Sequence, residues 1–236
     1  MHSTTATPTR HQFHDAIRAE RRSLADFVET LTQEQWSSAS ACSGWTIGET
    51  VNHLLVGDGG TWRAGEALLH LQSPYRWVAD RQRELAERGP AVAAERLRSD
   101  RLSITARFPG RFGPRANLAE NLIHVDDIRR PLGVPRPGPP DERTAFAALR
   151  TVARWQFRKL RTGGTLAIST TAGSALTVVS GFPVPRILRG ETDDTDARVT
   201  GDVVDLMTFL TGRESNVTVE GDGPLADVLR HPMPTV

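Results

Sequence analysis

The sequence predicts an α+β protein in which an all-helical N-terminal bundle precedes a smaller α+β domain. Three observations lead there. From Arg10 to Leu31 apolar residues recur at threes, fours and a seven, and further amphipathic helices are read in segments to about Arg130. Beyond Gly164 the pattern shifts toward short β-rich runs separated by turn residues. Between the two, Pro131, Gly133, Pro135, Pro137, Gly138, Pro139 and Pro140 form the densest punctuation in the chain, a composition that disfavours both helix and inner strand. The boundary falls here and gives domains over 1–135 and 141–236.

From Arg10 to Leu31, Phe13, Ile17, Leu24, Phe27, Val28 and Leu31 mark one face of an amphipathic helix. Thr46-Ile-Gly-Glu49 is a capping box, so a second helix starts there and carries Val51, His53, Leu54 and Leu55. Further helices are expected over Trp62–Leu71, Trp77–Arg88 and Ala91–Arg107. A loop punctuated by Pro109, Gly110, Gly113 and Pro114 follows, and it carries Arg107, Arg111 and Arg115. Asn117-Leu-Ala-Glu120 reads as another capping box, opening a helix that runs to Arg130. In the second half, Asp141 caps a helix through Arg161, and Thr165–Thr170 with Ala175–Val179 forms a hairpin around Ala172-Gly173-Ser174. Arg198–Thr200 and Asn216–Glu220 read as strands, Val203–Leu210 as a helix closed by Gly212, and a short helix ends the chain.

Composition narrows the function. The 29 basic and 28 acidic residues among 236 leave a net charge of +1, which gives phosphate-driven nucleic-acid binding no footing. No apolar run approaches the length of a membrane span, and the first fifteen residues lack the pattern of a secretory signal. Cys42 is the only cysteine, so neither an intrachain disulfide nor a thiolate-rich metal cluster can form. A cytoplasmic setting is expected.

Chemistry gathers at histidine. Glu120 and His124 stand four residues apart on one predicted helix, so their side chains leave one face within reach of a common ion. The competing role for Glu120 is its place in the capping box. His53, set among Val51, Leu54 and Leu55, is the natural third ligand, its plainer alternative being a core histidine bonded to a carbonyl. Two histidines and one carboxylate suit zinc or another divalent metal, with a coordination position left for water or substrate. Asp127 lies three residues after His124 and either supports that ligand or pairs at the surface with Arg129 or Arg130. Cys42 reads as a small buried hydrophobe and Trp45 as a packing residue that can line the pocket.

Two blocks carry a family likeness. Cys42-Ser-Gly-Trp45-Thr-Ile-Gly-Glu49-Thr-Val-Asn-His53-Leu54 and Glu120-Asn-Leu-Ile-His124-Val-Asp-Asp127-Ile-Arg129-Arg130-Pro-Leu-Gly133 resemble the mycothiol-dependent maleylpyruvate isomerase family of the DinB-like superfamily. Gly201-Asp-Val-Val-Asp-Leu-Met-Thr-Phe-Leu-Thr-Gly-Arg213 is similar to that family's smaller domain, related in shape to sterol carrier proteins. The resemblance implies a four-helix bundle that holds a divalent metal, usually zinc, through His53, Glu120 and His124. It implies as cofactor mycothiol, the low-molecular-weight thiol of actinobacteria. The activity it implies is thiol transfer to, or thiol-catalysed isomerisation of, a small electrophile. Arg213 matches the Leu-Thr-Gly-Arg stretch and is either a guanidinium for a substrate carboxylate or a partner for the end of its own helix. Metal-activated water in a hydrolase or lyase, or a ligand-binding protein without catalysis, are the alternatives.

Overall fold

Thr9 opens the first helix with a full capping box: its hydroxyl accepts from the Gln12 amide, and the Gln12 side chain accepts from the Thr9 amide. The computed structural model describes residues 7–59, 74–99, 101–107, 110, 112–139, 141–158, 163–180, 185–192 and 194–231. Helix α1 (Arg10–Val28) buries Phe13, Ile17, Leu24 and Val28. It stops before Leu31 because the Thr30 hydroxyl donates to the Phe27 carbonyl at 2.7 Å, in competition with continued helix. A one-turn helix α2 (Gln33–Ser37), unforeseen in the sequence, then turns Trp36 inward. Helix α3 (Ile47–Val56) starts at the expected capping box of Thr46 and Glu49.

Helices α4 (Pro74–Ala86), α5 (Pro90–Arg98), α6 (Ile104–Arg107) and α7 (Phe112–Arg129) follow. The helix expected over Trp62–Leu71 lies outside the described residues. The helix expected over Ala91–Arg107 is divided, because Ser99 is extended and its hydroxyl takes the Arg96 carbonyl at 2.7 Å. Helix α7 begins five residues ahead of Asn117. Pro114 sits in its first turn, where a missing N–H costs nothing. Asn117 is consequently inside the helix and donates to the Ser103 and Thr105 hydroxyls at 2.8 and 3.1 Å. Glu120 is thereby freed from the capping role.

Leu24, Val28, Trp36, Ile47, Val51, Leu55, Leu97, Val125 and Ile128 form one apolar cluster joining α1, α2, α3, α5 and α7. Gly48 is required in it. A Cβ there would lie 2.6 Å from the Trp36 indole, whose Nε1 is held by the Ala86 carbonyl at 2.8 Å. Gly48→Ala is expected to lower unfolding stability by about 1–3 kcal/mol, an overpacking cost read by urea denaturation.

The same unit buries a carboxylate. Glu20 on α1 is 3% exposed, and its Oε2 has no hydrogen-bond partner among the described residues. Burial pushes its pKa up to about 7 against the partial opposition of Arg136 and Arg129. Because the folded value exceeds the unfolded one, the protein is unpenalised below pH 4.5 and loses stability as the pH rises to about 7. Glu20→Gln should abolish that slope and gain up to about 3 kcal/mol at pH 8 in denaturation curves.

The chain divides into two compact units, Pro8–Pro140 and Asp141–Val236. In the second, Asp141 caps helix α8 (Glu142–Phe157) by accepting from the Arg143 and Thr144 amides. The expected extension to Arg161 runs into 159–162, outside the described residues. Five strands follow: β1 (Thr165–Thr170), β2 (Ala175–Val179), β3 (Arg186–Arg189), β4 (Ala197–Gly201) and β5 (Val217–Glu220). They lie in the order β3-β2-β1-β4-β5, with β1 and β4 parallel and every other pair antiparallel. Strand β3 was not legible, since its Arg-Ile-Leu-Arg run is half-polar and short. Helix α9 (Val203–Leu210) packs Val203, Leu206, Met207 and Leu210 inward, and α10 (Pro224–Arg230) ends the described chain. The fold is α+β, helix-rich in its first unit and built on one sheet in its second. No helix among the described residues is long and apolar enough to cross a membrane.

Candidate metal centre

Two helices and one loop place the site. Helix α3 carries His53 and α7 carries Glu120, His124 and Asp127, while the segment Ser38–Thr46 presents Cys42 and Trp45. That segment is tightly bonded. The Ala41 amide donates to the Asp127 carbonyl on α7 at 2.9 Å, the Ser40 hydroxyl accepts from the Cys42 amide, and the Thr50 hydroxyl on α3 donates to the Ser40 hydroxyl at 2.8 Å. Gly44, at φ 82°, allows the turn in which the Trp45 amide reaches the Cys42 carbonyl. Trp45 consequently lies beside both imidazoles, its ring centroid 4.8 Å from His53 and 6.1 Å from His124.

The two imidazoles meet edge to face, with centroids 5.1 Å apart. His124 is oriented by its neighbour: Nδ1 lies 2.9 Å from Oδ2 of Asp127, a fully buried carboxylate. A carboxylate accepts, so Nδ1 carries the proton and Nε2 keeps its lone pair. The surface role considered for Asp127 is filled instead by Asp126, which pairs with Arg130. His53 is held neutral. Burial, followed by the nearby His124, drives its pKa down to about 4, with Gln82 partly opposing. Gln82 stands close without pairing well: Nδ1 of His53 and Oε1 of Gln82 are both buried and lack hydrogen-bond partners among the described residues. An orphaned imidazole nitrogen in a dry setting is a donor atom still to be satisfied.

Glu120 lies one turn before His124 on α7. Protein atoms crowd its carboxyl and raise its pKa, His124 partly lowers it again, and yet the side chain as a whole remains open to solvent. Crowding with solvent access describes the wall of a concavity better than a core position. The tightest set of metal-type donors among the described residues differs from the expected one. Cys42, His124 and Asp127 offer atoms all within 4.8 Å of one another. Cys42 is half-buried beside two polar groups, which corrects its reading as an inert packing residue. Sequence patterning missed Cys42 and Gln82 because one sits in a loop and the other on a separate helix; Gln82, polar on the buried face with Leu85, was the available signal.

Arg213 belongs to the second unit, just after α9. Its guanidinium donates to the Thr211 carbonyl at 3.3 Å, and it lines a cavity of about 490 Å³ with Phe209, Ser215, Val217 and Leu229. Of the three arginines expected in the loop before this helix, Arg115 stands inside α7 and lies over the Phe13 ring at 5.7 Å, Arg107 lends its carbonyl to Arg10, and Arg111 is outside the described residues.

Residues 17–152 match the sequence model of the family described as mycothiol maleylpyruvate isomerase N-terminal domain. The chain is 29% identical to the uncharacterized protein Rv0036c of Mycobacterium tuberculosis, with 86% of each chain covered. Among solved structures, it resembles the mycothiol-dependent maleylpyruvate isomerase (TM-score 0.51) and a histidine-to-alanine variant of it (TM-score 0.56). Both likenesses are at 14% identity and cover 94% of this chain and 98% of the other, and they establish a shared fold.

Proposed function

Because the chain belongs to the mycothiol maleylpyruvate isomerase N-terminal domain family, we propose that it is a metal-dependent, mycothiol-using enzyme. On this reading it activates the thiol for addition to a small electrophile, giving isomerisation if the thiol leaves again or S-conjugation if it stays. The observation that carries the reading is the pair of imidazoles 5.1 Å apart, one kept neutral by burial and the other fixed as a tautomer by Asp127.

His53, His124 and Glu120 would hold the ion, with zinc the fitting choice for two imidazoles and a carboxylate. When bound, such an ion converts a thiol of pKa about 8.5 into thiolate at neutral pH. The chain's own residues do the rest. Asp127 anchors Nδ1 of His124 and so leaves Nε2 as the nitrogen that would donate to an ion. His53 stays unprotonated at pH 7 and needs no proton removed before it donates. Trp45 lies beside both rings and supplies an apolar wall to the site. Holding thiol and electrophile in line then supplies the larger part of the acceleration, a positioning effect worth up to about 7–11 kcal/mol in ideal cases.

A second ligand set is favoured by one observation, the closeness of Cys42, His124 and Asp127. In it the Nδ1 and Oδ2 atoms already share a proton, and for that reason Asp127 is read here as a support. Metal analysis with an assay on maleylpyruvate, with and without mycothiol, tests both. The expected result is about one ion per chain, turnover only with thiol, and full metal content in Cys42→Ser. Turnover without thiol would reject the proposal, and loss of metal in Cys42→Ser with retention in His53→Ala would transfer the site to the second set.

A further inference from the structure

Helices α4 and α5 and the ends of η1 (Gly57–Gly59) and α5 enclose a second cavity of about 310 Å³ within the Pro8–Pro140 unit. Its wall is unusual in charge. Among the described residues, Arg81, Arg88, Arg96 and Arg101 face it, against Asp58 and Glu95. Asp58 is already neutralised from below: Arg21 donates to its Oδ2 at 2.6 Å, with the two side chains 3% and 7% exposed. The same Arg21 fixes the rim, donating through Nη1 to the Arg101 carbonyl at 2.5 Å and through Nη2 to the Leu54 carbonyl at 3.2 Å. Arg96 is tied to the Leu55 carbonyl at 3.1 Å, and Arg81 and Arg88 both hold Glu84.

Surface ion pairs in an arginine-rich chain would explain Arg81 and Arg88 alone. They do not explain two other features. The Arg101 guanidinium has no partner among the described residues, although its backbone is pinned at the cavity. Oδ1 of Asp58, on a side chain more than nine-tenths buried, accepts no hydrogen bond among the described residues. A buried acceptor left without a donor is costly and calls for an O–H or N–H in the cavity. Guanidiniums around it call for an anion, and their planar forks suit phosphate oxygens.

We propose that this cavity binds a small phosphate monoester that carries a free hydroxyl, the phosphate held by Arg88, Arg96 and Arg101 and the hydroxyl donating to Oδ1 of Asp58. The volume, about that of ten waters, is ample for a phosphorylated polyol. The site shares no residue with the thiol chemistry proposed above, and its test stands apart from that one.

Calorimetric titration of the full chain at fixed ionic strength compares glycerol 2-phosphate, inorganic phosphate, glycerol and malonate. Glycerol 2-phosphate should bind saturably and about tenfold tighter than inorganic phosphate, with glycerol inert. Arg101→Gln, an exposed and unpaired position, should keep the fold and weaken the phosphate ester by about tenfold. Asp58→Asn, checked by circular dichroism, should erase the preference for the ester over inorganic phosphate; if it fails to fold, the Arg101→Gln result decides. No saturable binding at about 10 mM ester, an unchanged affinity in Arg101→Gln, or malonate binding as tightly as the ester would each overturn the proposal.

Discussion

If the proposed metal-and-thiol chemistry holds, replacing His124 by alanine should remove the divalent ion and abolish thiol-dependent turnover, while the far-ultraviolet spectrum stays that of the parent. His124 is the one residue common to both possible ligand sets, and its ring is the one whose orientation is fixed by a buried carboxylate. Asp127→Asn is the graded companion. The amide can no longer draw the Nδ1 proton as a carboxylate does, and metal affinity should fall about 10–100-fold, the usual effect of losing such a support. Metal competition with a chromogenic chelator measures both. An Asp127→Asn protein with parental affinity would show that the 2.9 Å bond does not set the tautomer.

The second large effect concerns stability. Arg21 and Asp58 form a pair with almost no solvent contact, and Arg21 also satisfies the carbonyls of Leu54 and Arg101. Arg21→Ala leaves a carboxylate and two carbonyls without their donor, and the expected loss is about 3–5 kcal/mol in urea denaturation at pH 7. Burial already raises the Asp58 pKa with its partner present. The variant should therefore recover part of its stability as the pH is lowered and Asp58 becomes neutral. Adding Asp58→Asn to Arg21→Ala should recover a similar part at pH 7, and a double variant as unstable as the single one would refute the charge-burial account.

The parts of this arrangement that are local in sequence were legible. Thr46 and Glu49 announced the start of α3 and with it the phase of His53, and the three-residue step from His124 to Asp127 set up the observed hydrogen bond. The parts that failed were decided at long range. Asn117 looked like a cap, but its side chain is claimed by Ser103 and Thr105. Ser99 is the local exception: its hydroxyl, bonded three residues back to the Arg96 carbonyl, broke a helix whose apolar period continues through it. Cys42 had no partner nearby in sequence, and a backbone bond from Ala41 to Asp127, 86 residues on, helps bring its loop against α7. Strand β3 was invisible because its place at the sheet edge comes from pairing with β2.

The loop between α2 and α3 behaves like a gauge block. It is bonded to α7 through Ala41 and to α3 through Ser40, so nine residues of short-range chain brace the gap between the two imidazoles alongside the apolar packing of Val51 and Leu55 near Val125 and Ile128. One residue inserted between Ser38 and Thr46 would shift Ala41 or Ser40 off its bond and so strain the brace on the side of each histidine-bearing helix.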